Sequence, residues 1–386
     1  MEWLMVSNKT RYLKYFLLAA GIILLAVAAT MLAVPASASP APVPENKPEN
    51  VACLFCHGKA GLQLQLPSGE DVSLVINNDH FKSSAHAGLG CTDCHSNITT
   101  FPHPELKAQN SRELSLQMET TCQNCHQQQY TLTLDSVHAK TLAAGNTNAA
   151  TCVDCHNPHS QPVITDANDA LLPEARLEIP QICARCHSAI YDQYKQSIHG
   201  AALTEQDNTD VPTCIDCHGV HNIGDPTLAS FRLNSPQLCA KCHTDSAIMG
   251  KYGIPTQVLN TYVADFHGTT VTLFNKASPD QVTNKPVCFD CHGVHDIKSV
   301  NDPVSGLSMK QNLLQACQRC HPDANANFPT AWMSHYIPSP THFPIVYYVN
   351  LFYKFFIPTV IGGMLIFVIS DIVRRLINRR RGAKHA

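Results

Sequence analysis

The sequence predicts a mostly α-helical chain with extensive loops, little sheet and a transmembrane helix. Three observations predict it. All 18 cysteines among the 386 residues fall in nine copies of one pentapeptide, Cys-x-x-Cys-His. The copies are crowded, with 283 residues from Cys53 to His335, or about 31 per copy. So little chain cannot build an ordinary apolar core around each. Apolar segments lie near both ends of the crowded region.

Residues 1–38 have the layout of an export signal. Lys9, Arg11 and Lys14 precede an apolar run from Tyr15 to Val34, and Ala36-Ser37-Ala38 offers a cleavage site. The run is about 20 residues, which also suffices to cross ~30 Å of hydrocarbon. A cleaved signal peptide and a retained N-terminal membrane anchor therefore both remain open. Residues 39–52 are a Pro-rich linker.

The motif region is residues 53–343. Its cysteine pairs are Cys53/Cys56, Cys91/Cys94, Cys122/Cys125, Cys152/Cys155, Cys183/Cys186, Cys214/Cys217, Cys239/Cys242, Cys288/Cys291 and Cys317/Cys320. They are followed by His57, His95, His126, His156, His187, His218, His243, His292 and His321. Disulfides do not explain a histidine after every second cysteine. Zinc needs four ligands at other spacings, and a redox Cys-x-x-Cys does not recur nine times. The pentapeptide is the attachment motif of c-type haem. Two residues between thiols let one turn of chain present both sulfurs to the two vinyl groups of one porphyrin, and the next histidine sits under the iron. Nine complete motifs predict nine covalent haems, which would themselves form much of the core.

The motifs fall into a repeat. CQNCHQQQYTLTLDSVHA from Cys122 parallels CARCHSAIYDQYKQSIHG from Cys183, and each is followed by a second motif, CVDCHNPH or CIDCHGVH. The unit is motif, spacer ending in histidine, second motif, further histidine. Cys239 starts another copy, Cys53 a divergent first copy and Cys317 a half copy ending at His335. Four units of two motifs and one half unit make nine.

Twelve histidines lie outside the motifs, and the repeat sorts nine of them as distal iron ligands. The spacer histidines are His86, His138, His199, His267 and His335; the post-motif histidines are His103, His159, His221 and His295. His159, His221 and His295 lie three residues after a proximal ligand and cannot reach the opposite face of the same porphyrin. They must serve neighbouring haems, which forces the haems together. His103 follows His95 by eight residues instead of three. His80 competes with His86, and His342 is an alternative to His335 for the ninth haem or an acceptor for a quinol proton, given its unperturbed pKa of ~6.5. His385, in the tail, is not expected to be a ligand.

Residues 344–373 form the predicted transmembrane helix. Asn350 and Lys354 interrupt an apolar and aromatic run from Ile345 to Ile372, in which Tyr347, Tyr348, Phe352, Tyr353, Phe355 and Phe356 suit an interfacial belt. Arg374, Arg375, Arg379, Arg380, Arg381 and Lys384 follow, so residues 374–386 are expected to be a basic cytoplasmic tail. Everything between the two basic clusters would then face the outer, periplasmic or extracytoplasmic, side. Residues 39–370 hold 18 Lys+Arg against 28 Asp+Glu, a formal −10, which predicts a basic docking face on an exported partner. Lipid is an expected contact and nucleic acid is not.

The CxxCH…SxHG…CxxCHGxH pattern across residues 53–335 resembles the multihaem cytochromes built from paired haem modules, including tetrahaem and larger respiratory ones. A haem domain with a membrane anchor is also similar to the quinol-oxidising anchors of periplasmic nitrate and nitrite respiration. Those have four or five haems, whereas this chain has nine motifs and its anchor is C-terminal. The resemblance implies electron relay between a membrane partner, either the quinol pool or an integral quinol-oxidising or other redox subunit, and exported partners. Two enzymatic readings compete. One is a quinol dehydrogenase with its site beside the ninth haem. The other is a reductase of a nitrogen or sulfur oxyanion, which would keep one iron open.

Overall fold

The computed structural model describes residues 47–332 and 335–382. The export segment, most of the Pro-rich linker and the tail from residue 383, with Lys384 and His385, lie outside the described residues.

Helices dominate, and they follow the repeat. The first unit holds α1 (Pro48–His57), the hairpin β1 (Gln63–Gln65) and β2 (Asp71–Ser73), then α2 (Asn78–Lys82) and α3 (Cys91–Cys94). The hairpin is antiparallel, with Leu64 opposite Val72, and is the single sheet among the described residues. The second unit holds α4 (Ser111–Cys122), α5 (Gln127–Thr133), α6 (Val137–Ala143) and α7 (Cys152–Cys155). The third repeats it with α8 (Pro173–Ala184), α9 (Ser188–Lys195), α10 (Ile198–Gln206) and α11 (Cys214–His218). The fourth holds α12 (Ala229–His243), α13 (Ser246–Met249), α14 (Val258–Ala264), α15 (Phe266–Ala277) and α16 (Cys288–His292). The half unit is α17 (Lys310–Gln318), a 3₁₀ turn at Phe328–Ala331, and α18 (Pro344–Gly382).

Local chemistry explains why these segments form. A leading helix runs into each first motif; α4, for example, starts where Asn110 accepts the Glu113 N–H at 2.8 Å. Each second motif is a single turn, too short to persist by helix propensity alone. An aspartate between its cysteines stabilises it. Asp93, Asp154, Asp216 and Asp290 accept the N–H of Gly90, Thr151, Thr213 and Val287 at 2.7, 2.6, 2.6 and 2.6 Å. Each also pairs with a cation ahead of the same unit's first motif. These pairs are Lys47–Asp93 (3.0 Å), Arg112–Asp154 (2.8 Å), Arg176–Asp216 (2.7 Å) and Arg232–Asp290 (2.7 Å). The clamp thus packs the second motif against the leading helix four times over.

Two glycines are required by close approach. A Cβ on Gly200 would lie 1.9 Å from the Tyr194 carbonyl oxygen, and one on Gly268 would lie 2.1 Å from that of Tyr262. These tyrosines in turn donate their hydroxyls to Pro212 and Pro286 carbonyls, both at 2.8 Å. The apolar core made by side chains is small; among the described residues its one buried cluster is Leu233, Val271 and Val287, with Phe274 and Phe289 against it.

Helix α18 contains the single segment among the described residues that is long and apolar enough to cross a membrane. This is Pro344–Arg380, 37 residues with mean hydropathy 2.2 and none of its most apolar stretch buried.

Candidate haem sites

Each motif histidine faces one non-motif histidine. The ring-centre separations are 5.9 Å for His57–His103, 6.1 Å for His95–His159, 6.0 Å for His126–His86, 6.3 Å for His156–His221 and 6.2 Å for His187–His138. They are 6.1 Å for His218–His295, 6.2 Å for His243–His199, 6.2 Å for His292–His335 and 6.3 Å for His321–His267.

The pairing follows a rule that crosses unit boundaries. A spacer histidine stands against the first motif of the next unit: His86 against His126, His138 against His187, His199 against His243, His267 against His321. A post-motif histidine stands against the second motif of the previous unit: His159 against His95, His221 against His156, His295 against His218. The ends depart from the rule. The first motif has no preceding unit, and His103 of its own unit faces it. The half unit has no second motif, and its spacer histidine, His335, faces His292.

Backbone bonds hold the same boundaries. Ala85 donates to Gln161 O at 2.8 Å, Val137 to Ile223 O at 2.9 Å and Ile198 to Ile297 O at 2.7 Å. In each case the acceptor lies two residues past the post-motif histidine of the next unit. Arg185 and Arg319, inside first motifs, reach back to the carbonyls of Asp154 and Asp290 in the preceding second motifs, both at 3.0 Å.

The thiols form a continuous series. Within units, Cys53 meets Cys91, Cys122 meets Cys152, Cys183 meets Cys214 and Cys239 meets Cys288 at hydrogen-bonding range. Between units, Cys94 lies within electrostatic reach of Cys122 and Cys125, Cys155 of Cys183 and Cys186, Cys217 of Cys239 and Cys242, and Cys291 of Cys317 and Cys320. The nine motifs therefore neighbour one another in the order in which the chain presents them.

Cys56 differs from the other second cysteines of first motifs. It is exposed, as Cys125, Cys186 and Cys320 are, but no thiol of an earlier motif stands against it as Cys94 stands against Cys125. The reason is its place in the array. The first unit has no predecessor, so the side of α1 that carries Cys56 lacks the neighbour that Cys125, Cys186, Cys242 and Cys320 each have. Its local conformation keeps the form of the motif: Cys56 lies on the last turn of α1, and its carbonyl accepts the Lys59 N–H at 3.0 Å.

The rings are held in the form that binds metal. Burial keeps His95, His159, His218, His292 and His335 below the ordinary imidazole range. Burial, with the His243 ring beside it, pushes His199 down to about 4. A neutral imidazole offers a lone pair to iron.

These dimensions suit one iron per pair. A metal–imidazole nitrogen bond is about 2 Å, and a five-membered ring with ~1.33 Å bonds has its nitrogens ~1.1 Å from its centre. Two rings on opposite sides of one iron then have centres roughly 6.3 Å apart, close to every separation given above. With two thiols beside each pair, the residues present fit a c-type haem.

His80 and His342 stand elsewhere. His80 lines a cavity of about 190 Å³ with Val75, Ile76, Asn77, Asn157, His159 and Ser160. His342 stacks on Tyr336 at 5.4 Å, and its N–H donates to Ser339 Oγ at 2.9 Å. The clamp between the second-motif aspartates and the leading-helix cations escaped the sequence reading. Its signal was the aspartate shared by all four second motifs, with a basic residue six to ten positions before each unit's first cysteine.

Residues 76–157 match the model of cytochrome c7 and related cytochrome c, and residues 145–190 and 206–248 match that of the doubled CXXCH motif. The multiheme cytochrome MtrA of Shewanella baltica (strain OS185) is 25% identical over 205 residues, covering 50% of this chain and 52% of that protein. The chain thus spans about half the length of the curated relative it matches. No solved structure matches the chain. The family-matched stretches contain six of the nine motifs just described, so motif chemistry, geometry and kinship agree: the chain is a multihaem c-type cytochrome built from paired Cys-x-x-Cys-His modules, which hold haem covalently.

Proposed function

We propose that this chain is a membrane-anchored nonahaem electron relay. The observation that carries the reading is that each of nine motif histidines faces one further histidine at the spacing of a shared iron. Haem bound in this way supplies one-electron redox chemistry with no coordination position left for a substrate. In this reading the 18 motif cysteines make the thioether bonds and the motif histidines are proximal ligands. His86, His103, His138, His159, His199, His221, His267, His295 and His335 are distal ligands. The aspartate clamps fix each second motif, and the three boundary bonds steady the segments that carry His86, His138 and His199 and those that carry His159, His221 and His295.

Helix α18 anchors the chain, with the motif region on the outer side and the basic end in the cytoplasm. The half unit carries the last motif before the anchor, so exchange with a quinol-oxidising or other integral subunit takes place there. The far end serves an exported partner with a basic docking face.

Mass spectrometry of protein matured with a haem-attachment system tests the count; nine thioether-linked haems are expected, and seven or fewer would overturn the reading. The ferric EPR spectrum tests the ligation. Only low-spin signals are expected, whereas a high-spin signal amounting to one haem would favour an enzyme with an open iron.

A further inference from the structure

In the first three units a serine two residues before the spacer histidine caps the turn or helix that carries it. Ser84 accepts the His86 N–H, Ser136 that of Ala139 and Ser197 that of Gly200. The residue between serine and histidine then donates across the unit boundary, as described above for Ala85, Val137 and Ile198. That bond steadies the loop carrying the next unit's post-motif histidine.

The fourth unit breaks this pattern. Its corresponding residue is Asp265, whose side chain makes no cap bond to its own helix. The half unit that follows has no second motif and therefore no post-motif histidine. The ring facing His292 is His335, a spacer histidine. The Asp265 carboxylate instead accepts the indole N–H of Trp332, three residues before His335. The Trp332 ring meets His335 edge-on, with centres 5.9 Å apart and planes at 77°. Thr261 Oγ1 lies 3.5 Å from His335 Nδ1. Because the Thr261 hydroxyl also lies 3.0 Å from both the Gln257 and Val258 carbonyls, its proton is engaged there and its lone pair faces Nδ1–H. That leaves His335 Nε2 for a metal.

We propose that Asp265 is a positioning residue for the haem of Cys288 and Cys291. Released from capping its own helix, it holds Trp332, and Trp332 fixes the ring of His335, so that a spacer histidine takes the place of the post-motif ligand that the half unit lacks. A serine at this position would be too short to reach the indole. The substitution is where the repeat ends, where a spacer histidine with no boundary bond to steady it must stand in for a post-motif ligand. This inference rests on the ligand pairing proposed above, and its test separates the two.

The test compares Asp265→Ser, Asp265→Asn, Trp332→Phe and His335→Gln in the full-length haem-loaded protein, reading high-spin ferric haem by EPR and haem number by mass. His335→Gln sets the scale of one converted haem. Asp265→Ser and Trp332→Phe are expected to give at least half that signal with all haems still attached. Asp265→Asn keeps an oxygen acceptor for the indole and is expected to remain low-spin; this rescue is something a general loss of folding would not produce. If His335→Gln opens one haem while Asp265→Ser and Trp332→Phe open none, the inference fails and the pairing stands. If His335→Gln itself leaves the spectrum unchanged, both fail. If Asp265→Ser does not accumulate, Trp332→Phe alone decides, since it removes one N–H and keeps an aromatic ring.

Discussion

Removing the Arg176 guanidinium tests whether the aspartate clamp holds the second motif. Arg176→Met keeps the aliphatic stem and loses bonds to Thr209 O (2.9 Å), Val211 O (2.8 Å) and Asp216 Oδ2 (2.7 Å). The pair is mostly shielded, with side-chain exposures of 19% and 33%. Hydrogen bonds to charged groups are worth ~1.5–3 kcal/mol each but do not add. Asp216 keeps the Thr213 N–H at 2.6 Å and hydroxyl at 3.0 Å, so it is not left unpaired. That holds the loss below the ~3–5 kcal/mol of a fully buried broken pair. The expected cost is about 2–3 kcal/mol, or roughly 30- to 150-fold in local opening at ~1.4 kcal/mol per decade. Lys47→Met is the internal control. Its pair is a single contact at 3.0 Å, exposed 39% and 46%, and solvent screening should make its loss far smaller than that of the Arg176 pair. Amide hydrogen exchange of peptides spanning residues 209–218 and 90–95 in the haem-loaded protein reads both. Equal factors at the two sites, or less than threefold for Arg176→Met, would refute the reasoning.

Three further outcomes are expected. His221→Ala should disturb the haem on Cys152 and Cys155 while leaving the one on Cys214 and Cys217 attached and spectrally unchanged; site-resolved NMR of the haem methyls distinguishes them. Gly200→Ala places a methyl against the Tyr194 carbonyl and should destabilise the third unit by about 1–3 kcal/mol, measured by denaturant midpoint, and also loosen His199. Reduction of a basic soluble cytochrome should slow as ionic strength rises from ~0.01 to ~0.15 M, since the Debye length shrinks from ~30 to ~8 Å; a salt-independent rate would remove the charge-steering argument.

Much of this architecture is legible in the chain, for reasons that differ by feature. The helix-rich, sheet-poor character follows from motif crowding, because about 31 residues leave room only for short helices and loops. The repeat told spacer from post-motif histidines, since Ser-x-His and Cys-His-x-x-His are local patterns. It also required His159, His221 and His295 to serve other motifs, because three residues of chain cannot wrap a porphyrin. Which motif each one meets was not legible. That depends on unit-to-unit contacts such as Ile198 to Ile297, a separation of 99 residues that no local pattern encodes. The role of Asp265 was hidden for the same reason: its partner, Trp332, lies 67 residues away. The hairpin at Gln63–Ser73 was missed because Leu64 and Val72 are the only apolar residues in two three-residue strands, too few to show a period of two.

In the proposed pairing each internal unit gives one ring and takes one ring across each of its boundaries, so its own account of ligands is balanced. A duplicated internal unit could therefore be spliced into the middle of the array without stranding a histidine or a motif at either join. Growth would come in steps of two haems, and the two unlike ends, with His103 turned inward at one and His335 borrowed at the other, would be inherited unchanged. Cutting the chain between units has the opposite effect: every boundary severs ligands in both directions. An array of this kind can be lengthened by recombination far more readily than it can be divided into working parts.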